Sequence, residues 1–150
     1  MIPRRFYLFV FVFIFACDKN NADDESNQGY ADSQVVGQWK ITAFLSNASY
    51  DWDGDGSAET DIFNTWTDCE KNNRYEFDSD KTGKFQLSCS VTAGGAWQIL
   101  NAQELTFIPG GLPQQKETII SLTSNQFQTT KVVTVSPGKI FTLTKTWTRL

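Results

Sequence analysis

From Val35 to the C-terminus, apolar and polar residues alternate with a period of two. One face of V-V-G-Q-W-K-I-T-A-F-L carries the small and apolar residues Val35, Gly37, Trp39, Ile41, Ala43 and Leu45. Such alternation predicts a half-buried β-strand. The first strand is therefore expected to turn this whole face toward a core.

Seven further segments repeat the pattern. They are N-R-Y-E-F-D-S, K-F-Q-L-S-C-S-V, G-A-W-Q-I-L, E-L-T-F-I-P, E-T-I-I-S-L-T, N-Q-F-Q-T-T-K-V-V-T-V and K-I-F-T-L-T-K-T-W-T. The first of these places Tyr75 and Phe77 on the core face, and the second places Cys89 and Val91 there. Between these two segments, S-D-K-T-G-K predicts a hairpin turn in which Gly83 takes a positive φ.

Eight short strands at regular spacing, with no convincing helical segment, predict an all-β domain. The expected fold is a single eight-stranded antiparallel up-and-down barrel, because closure removes both exposed sheet edges. A two-sheet sandwich would show the same alternation and the same turns, so it remains the alternative.

Residues 1–16 show a different pattern, that of a signal peptide. Arg4 and Arg5 precede the apolar run 6–16. As a helix this run would rise about 16 Å, too short for a hydrocarbon core of about 30 Å. The run ends in I-F-A-C, which resembles a bacterial lipoprotein signal whose cysteine, here Cys17, carries a fatty acid such as palmitate. An ordinary secretory signal with a chance cysteine is the alternative.

Residues 17–34 are polar and acidic, which predicts a flexible tether between the lipid and a domain of residues 35–150. The expected location is the cell envelope of a Gram-negative bacterium, anchored by lipid in the outer membrane. The acidic residues resemble a surface-export signal of some groups, and a plain linker explains them equally well. The chain has a net charge of −4 and no basic cluster, so no nucleic-acid partner is expected.

The chain contains three cysteines. If Cys17 carries lipid, Cys69 and Cys89 remain as an even pair in an oxidising compartment, and we expect a disulfide between them. It would close a loop of about twenty residues and contribute about 3 kcal/mol in the chain-entropy model. Two buried free thiols are the alternative.

The stretch D-W-D-G-D-G-S-A-E-T-D, residues 51–61, spaces acidic residues as calcium loops do. Calcium takes six to eight oxygen ligands, and EF-hand loops supply them from alternating positions around a central glycine. The candidate ligands are Asp51, Asp53, Asp55, Ser57, Glu59 and Asp61. Position 12 is Ile62 rather than glutamate, so the site would stiffen a loop rather than act as a sensor. The alternative is a solvated Asp-Gly turn without metal.

The residue types present argue against an enzyme. The chain contains no histidine, which excludes Ser-His-Asp and Cys-His sites and histidine-ligated zinc. Glu76 and Glu104 lie on predicted outward faces, so no carboxylate pair for general acid–base catalysis is apparent. No catalytic residue is assigned.

The G-x-W of Gly37-Gln38-Trp39 on the first of eight strands, together with Arg149 near the C-terminus, resembles the lipocalins. More specifically, the chain resembles the lipocalin-like lipoproteins of Gram-negative bacteria. These combine a lipobox, a G-x-W first strand, an acidic D-x-D/N-G-D-G loop and a cysteine on each side of the second hairpin. The resemblance covers residues 35–150. It implies that Trp39 closes one barrel end beneath Arg149, and that Gly37, Trp39 and Arg149 are structural residues.

The resemblance implies a binding function. We expect a small, partly apolar ligand at the mouth or in the lumen of the barrel. The alternative is a structural or protein-interaction lipoprotein whose aromatic side chains fill the lumen, because an eight-stranded interior is just wide enough for side chains or one small ligand. The sequence determines neither the ligand nor the oligomeric state.

Overall fold

A computed structural model describes residues 30–88, 91–135 and 137–150, so that residues 1–16, Cys17 and Cys89 lie outside the described residues. Within the described ranges, no helix is long and apolar enough to cross a membrane. The described elements, in chain order, are α1 Asp32–Val35, β1 Gly37–Tyr50, β2 Glu59–Asp61, α2 Ile62–Thr65, α3 Asp68–Lys71, β3 Tyr75–Phe77, β4 Thr82–Ser88, β5 Val91–Leu100, β6 Glu104–Pro109, β7 Gln115–Leu122, β8 Gln126–Val135 and β9 Lys139–Arg149.

Eight of these strands form a closed antiparallel barrel. β1 pairs with β3, each later strand pairs with the next, and β9 pairs back with β1. The predicted up-and-down barrel is confirmed, because one continuous closed sheet is not a sandwich. The remaining strand, β2, pairs with the C-terminal half of β1, through Leu45 opposite Asp61. It lies where the three-residue strand β3 no longer reaches.

One residue inserted in β1 reverses which side chains face the core. The register with β9 runs from Ile41 opposite Trp147 to Ala43 opposite Thr146, which leaves one extra residue in β1. A bulge of this kind moves every later side chain to the other face. Phe44 therefore packs against the core, and Leu45 is 45% exposed. The prediction that Leu45 lies on the core face is wrong.

The hairpins around β4 also differ from the sequence prediction. β4 ends at Ser88 and pairs there with Val91, the first residue of β5. The prediction that Val91 continues the preceding strand is therefore wrong. In the turn before β4, Lys81 has the positive φ, 72°, and Gly83 does not. Gly83 is required for space instead, because a Cβ atom there would lie 2.6 Å from the Glu76 carbonyl oxygen.

Aromatic side chains fill the part of the barrel around Trp39, which we call the lower barrel. The rings of Phe127 and Trp147 stack with centroids 5.2 Å apart, and Trp39 meets Phe127 edge-on at 4.7 Å. Tyr75 and Phe77 point inward, as predicted. The buried cluster consists of Val35, Trp39, Ile41, Tyr75, Phe77, Phe85, Trp97, Leu105, Phe107, Ile119, Phe127 and Trp147.

The residues just before β1 contact the barrel. The Tyr30 backbone N–H donates to the Ala102 carbonyl at 2.6 Å. Helix α1 begins at Asp32 and ends at Val35, which is fully buried. The Asp32 carboxylate forms an ion pair with Lys81. Residues 30–34, which the sequence places in the tether, therefore belong to the packed part of the structure.

Candidate functional site

The barrel has two different ends. We call the end at Trp39 the closed end, and we call the opposite end, which carries the β1–β2 loop and the β8–β9 turn, the open end. At the closed end, the Arg149 guanidinium carbon lies 4.1 Å from the centroid of the Trp39 ring. A cation in this position is attracted by the π-system. The Trp39 Nε1–H donates to the Val35 carbonyl at 2.7 Å.

Three nitrogens of Arg149 donate to backbone carbonyls. Nε donates to Ser124 at 2.6 Å, Nη1 to Val36 at 2.8 Å and Nη2 to Gln34 at 2.9 Å. Gly37 has a φ of +132°, and a Cβ atom there would lie 2.2 Å from Arg149 Nη1. Glycine is therefore required beside this guanidinium.

The hollow outside the closed end is an open depression with a polar lining. Its volume is about 610 Å³, and it is lined by Ser33, Gln34, Thr123, Ser124, Asn125 and Arg149. The guanidinium nitrogens at its edge already donate to carbonyls. Ligand pockets are typically concave and mostly apolar, so this depression does not fit a ligand site.

A smaller pocket lies inside the open end. Its volume is about 190 Å³, and strands β1, β7, β8 and β9 form its walls. It is lined by Phe44, Gln115, Glu117, Lys131, Val133, Leu143 and Lys145. The lining thus combines three apolar side chains with four polar or charged ones. Small-molecule sites likewise join apolar surface to convergent polar groups. We call it the open-end pocket.

An ion pair forms the floor of this pocket. The Glu117 side chain is 1% exposed, and its Oε1 accepts a hydrogen bond from Lys145 Nζ. Its Oε2 accepts from the Thr129 hydroxyl, which in turn accepts from Trp147 Nε1–H at 2.9 Å. Lys145 Nζ also lies 5.2 Å from the centroid of the Phe44 ring. The buried charge is therefore paired and hydrogen-bonded on both oxygens, which burial requires.

The ion pair affects a tyrosine on the other side of the lumen. Burial, and secondarily the negative charge of Glu117, raises the pKa of Tyr75 to about 12. Both effects disfavour the tyrosinate form. Tyr75 is thus a neutral member of the barrel interior at physiological pH.

The sequence analysis did not single out Glu117, Thr129 or Lys145, although the alternation contains the signal. Each lies two residues from a buried apolar residue on the same strand: Ile119, Phe127 and Trp147, respectively. Residues i and i+2 of a strand share a face. A polar residue in register with a core position was therefore the available signal.

The acidic loop brings three of its six candidate ligands together. Carboxylate oxygens of Asp51, Asp53 and Glu59 lie within 4.8 Å of one another. The Asp51 oxygens also accept backbone N–H groups of Gly54 at 2.7 Å and Gly56 at 3.0 Å. The loop thus folds around Asp51 in the manner that the two glycines permit.

The other two acidic candidates, Asp55 and Asp61, are not members of this cluster. The Asp55 carboxylate accepts the Ser57 backbone N–H at 2.7 Å. Asp61 is the N-cap of α2, and its side chain accepts the Asn64 backbone N–H at 3.2 Å. Neither carboxylate belongs to the three-residue cluster.

The acidic loop continues into an aromatic group at the rim of the open end. Trp52, between two of the clustered aspartates, lies 5.1 Å from Phe141 and 5.0 Å from Tyr50 by ring centroids. The Trp52 backbone N–H donates to Glu59 Oε1 at 2.7 Å. This rim is a second small apolar cluster, together with Ile62 and Leu143.

Of the cysteines, the structure describes Cys69. It lies in α3, whose first turn is fixed by a capping box between Thr67 and Glu70. Cys69 has an interaction partner. Cys17 and Cys89 lie outside the described residues, so the lipid attachment and the Cys69–Cys89 disulfide stay predictions.

The family match agrees with this geometry. Residues 35–129 match the family described as Lipocalin-like domain. No curated protein sequence matches the chain significantly. Solved structures similar to it include a deswapped triple mutant of bovine odorant binding protein, with 12% identity, a TM-score of 0.44, and coverage of 78% of this chain and 74% of that one. A complex of the bovine protein with undecanal has 13% identity, a TM-score of 0.44, and coverage of 79% and 72%. The chain belongs to the family of lipocalin-like domains.

Proposed function

We propose that the protein binds a small, partly apolar molecule in the open-end pocket. The observation that carries this proposal is a hollow of about 190 Å³ above a barrel that is otherwise packed with aromatic side chains. Phe44, Val133 and Leu143 give this hollow apolar surface beside convergent polar groups, and small-molecule sites combine the two. The lipocalin fold is, in general, a binding and transport fold.

The volume limits the ligand to about one ring. An engineered apolar cavity of about 150 Å³ holds benzene, whereas pockets for drug-sized molecules measure about 300–1,000 Å³. The open-end pocket is close to the first of these. A long acyl chain would have to displace the aromatic side chains of the lower barrel.

Filling the pocket tests the proposal. Val133 lines it, whereas Val132, the next residue on β8, is 65% exposed on the outer face. We expect calorimetry to detect binding of monocyclic probes to the unmodified chain and to the Val132→Phe variant. The Val133→Phe variant should not bind them. Unchanged binding by Val133→Phe would place the probe elsewhere and contradict the proposal.

The alternative function is a structural or protein-interaction lipoprotein with a filled barrel. The stacked rings of Phe127 and Trp147, with Trp39 against them, favour it for the lower barrel. The same probe titration separates the two functions. Failure of every probe to bind the folded chain would support the alternative.

We further propose that Cys17 carries lipid and anchors the protein in the outer membrane of a Gram-negative envelope. The support is the apolar run 6–16 that ends in I-F-A-C, followed by a polar acidic segment. In cells given labelled palmitate, the unmodified chain should take up the label and Cys17→Ser should not. Label that persists in the serine variant would overturn this assignment.

We also propose that calcium stiffens the acidic loop. The three clustered carboxylates fit the oxygen chemistry of calcium, because an oxygen that accepts one N–H keeps a second lone pair. Asp51, Asp53 and Glu59 would hold the ion, and carbonyl oxygens or water would complete its coordination. The ion would contribute electrostatic stabilisation to the loop and no chemistry.

Thermal unfolding tests the calcium proposal. At a hundredfold excess over Kd, calcium should stabilise the fold by about 2.7 kcal/mol, and magnesium should be much less effective. Asp53→Asn should remove this shift. Asp55→Asn, whose carboxylate lies outside the cluster, is the matched control and should keep most of it. A melting temperature that a chelator leaves unmoved would reduce the stretch to a turn.

A further inference from the structure

We propose that the open-end pocket selects a small organic anion, a monocyclic aromatic or short-chain carboxylate, with Lys131 and Lys145 as its anchors. This inference rests on the proposed function, since it names the ligand class of that site. Three ionisable residues line the pocket: Glu117, Lys131 and Lys145. Their formal charges sum to one positive charge.

The negative charge among the three is not available to a ligand. The Glu117 side chain is 1% exposed, and both of its oxygens already accept hydrogen bonds, from Lys145 and Thr129. A ligand cation would have to displace the Lys145 ammonium group to reach this carboxylate. It would also lie beside two like charges, which disfavours it in a partly desolvated site.

Both lysines keep hydrogen-bonding capacity. An ammonium group has three N–H donors, and the one described ion pair of Lys145 is with Glu117. The Lys145 side chain is 19% exposed, so part of it faces the hollow. Lys131 Nζ has a single described hydrogen bond, at 3.5 Å, to the neutral Gln115 side chain. Two incompletely used cations at one pocket favour an anionic group of the ligand.

The nearest acidic cluster does not cancel this preference. Asp51, Asp53 and Glu59 lie in the loop beyond the Trp52 and Phe141 rings and do not line the pocket. The apolar lining, Phe44, Val133 and Leu143, accommodates the rest of the ligand. The pocket thus matches a molecule with one ring or a short apolar body and one anionic end.

Three probes of one size and different charge test the inference: benzoate, benzamide and benzylamine. We expect calorimetry to show benzoate binding about tenfold more tightly than benzamide, the difference between a charged and a neutral hydrogen bond. Benzylamine should bind most weakly. Added salt should weaken benzoate binding and leave benzamide binding unchanged.

Variants assign the effect to the lysines. Lys131→Met should reduce benzoate affinity several-fold and benzamide affinity much less, because benzamide loses only a neutral hydrogen bond. Lys131 lies at the pocket edge and is exposed, so the variant should fold normally. Lys116→Met is the matched control: Lys116 pairs with Glu104 on the outer face and does not line the pocket. The double variant Lys145→Met with Glu117→Gln removes the second anchor without leaving a buried charge unpaired, and should lower benzoate affinity further.

The possible outcomes separate the two levels of the argument. Benzamide or benzylamine binding as tightly as benzoate, abolished by Val133→Phe, would overturn the anion preference and leave the proposed function intact. Equal benzoate affinity in the Lys131→Met and Lys116→Met variants would overturn the role of Lys131. No binding by any of the three probes would overturn the inference together with the proposed function.

Discussion

The closed and open ends of the barrel satisfy partly buried cations in different ways. At the closed end, Arg149 donates to three backbone carbonyls and covers the Trp39 ring. At the open end, Lys145 pairs with the buried Glu117 beneath a hollow of about 190 Å³. Replacing a buried ion pair with packed apolar residues is often neutral or stabilising. Stability alone is therefore a weak explanation for the pair at the open end, and the binding function proposed above would give it a role.

The largest expected effect comes from removing one partner of the open-end ion pair. Lys145→Met leaves the Glu117 carboxylate buried without its cation, and we expect unfolding in denaturant to show a loss of about 4 kcal/mol. Adding Glu117→Gln should restore most of it, because the amide can still accept from Thr129. A single variant as stable as the unmodified chain would mean that the pair contributes nothing to folding.

Removing the Arg149 guanidinium at the closed end should lower the free energy of unfolding by somewhat less than Lys145→Met does. Arg149→Met removes the donors of three carbonyls and the cation over Trp39, for a loss of about 3 kcal/mol. Probe binding in the open-end pocket should not change, since Arg149 lies at the other end of the barrel. Unfolding would measure the stability lost at the closed end, and calorimetry would measure probe binding at the open end. The two measurements together would show whether the ends act independently. Lost binding in a folded Arg149→Met variant would contradict the division.

The predicted disulfide would fasten α3 to the barrel. α3, which carries Cys69, packs on β1 and β4. Replacing both Cys69 and Cys89 with serine should lower the free energy of unfolding by about 3 kcal/mol. Mass spectrometry of the unreduced protein should find the peptides of the two cysteines linked. Two freely alkylated thiols would contradict the pairing.

Alkaline pH should destabilise the barrel through Tyr75, which pairs with Trp39 across β1 and β3. Its pKa is raised from 10.0 to about 12 in the folded state, so the folded protein keeps a proton that the unfolded chain loses. The associated stability is fully present below pH 10 and declines as pH rises toward 12, by about 3 kcal/mol in all. Tyr75→Phe should show this much less decline over the same range. Parallel stability curves for the two proteins would refute the linkage.

The smallest expected effect tests the bulge in β1. Leu45 is 45% exposed, so Leu45→Thr should change the free energy of unfolding by less than about 0.5 kcal/mol. Ile41→Thr, before the bulge, is the control and should cost about 2 kcal/mol or more, because Ile41 is 3% exposed. A large loss from Leu45→Thr would show that the alternation continues without interruption.

Much of the fold follows from the local sequence. Alternation with a period of two identifies all eight barrel strands and places Trp39, Tyr75 and Phe77 in the core, as the structure has them. A strand's two faces depend on its own residues alone, so this information is local. The acidic loop is likewise visible as a motif, because Gly54 and Gly56 permit its sharp turn.

Contacts between different segments could not be predicted from the sequence. The bulge between Ile41 and Ala43 exists in relation to β9, so no count along β1 reveals it. In the same way, which carboxylates converge depends on the folded path of the loop: Asp51, Asp53 and Glu59 cluster, while Asp61 caps a helix. These features are properties of pairs of segments rather than of one segment.

The open-end pocket shows most clearly which features follow from the sequence and which follow only from the tertiary structure. The sequence by itself determined that Glu117 and Lys145 share faces with Ile119 and Trp147, because residues two apart on a strand point the same way. It did not determine that they meet. Glu117 and Lys145 are 28 residues apart and lie on β7 and β9, with β8 between them. Only the register of β8 against β7 and β9, in a sheet that curves around one lumen, brings the two charges together under a pocket.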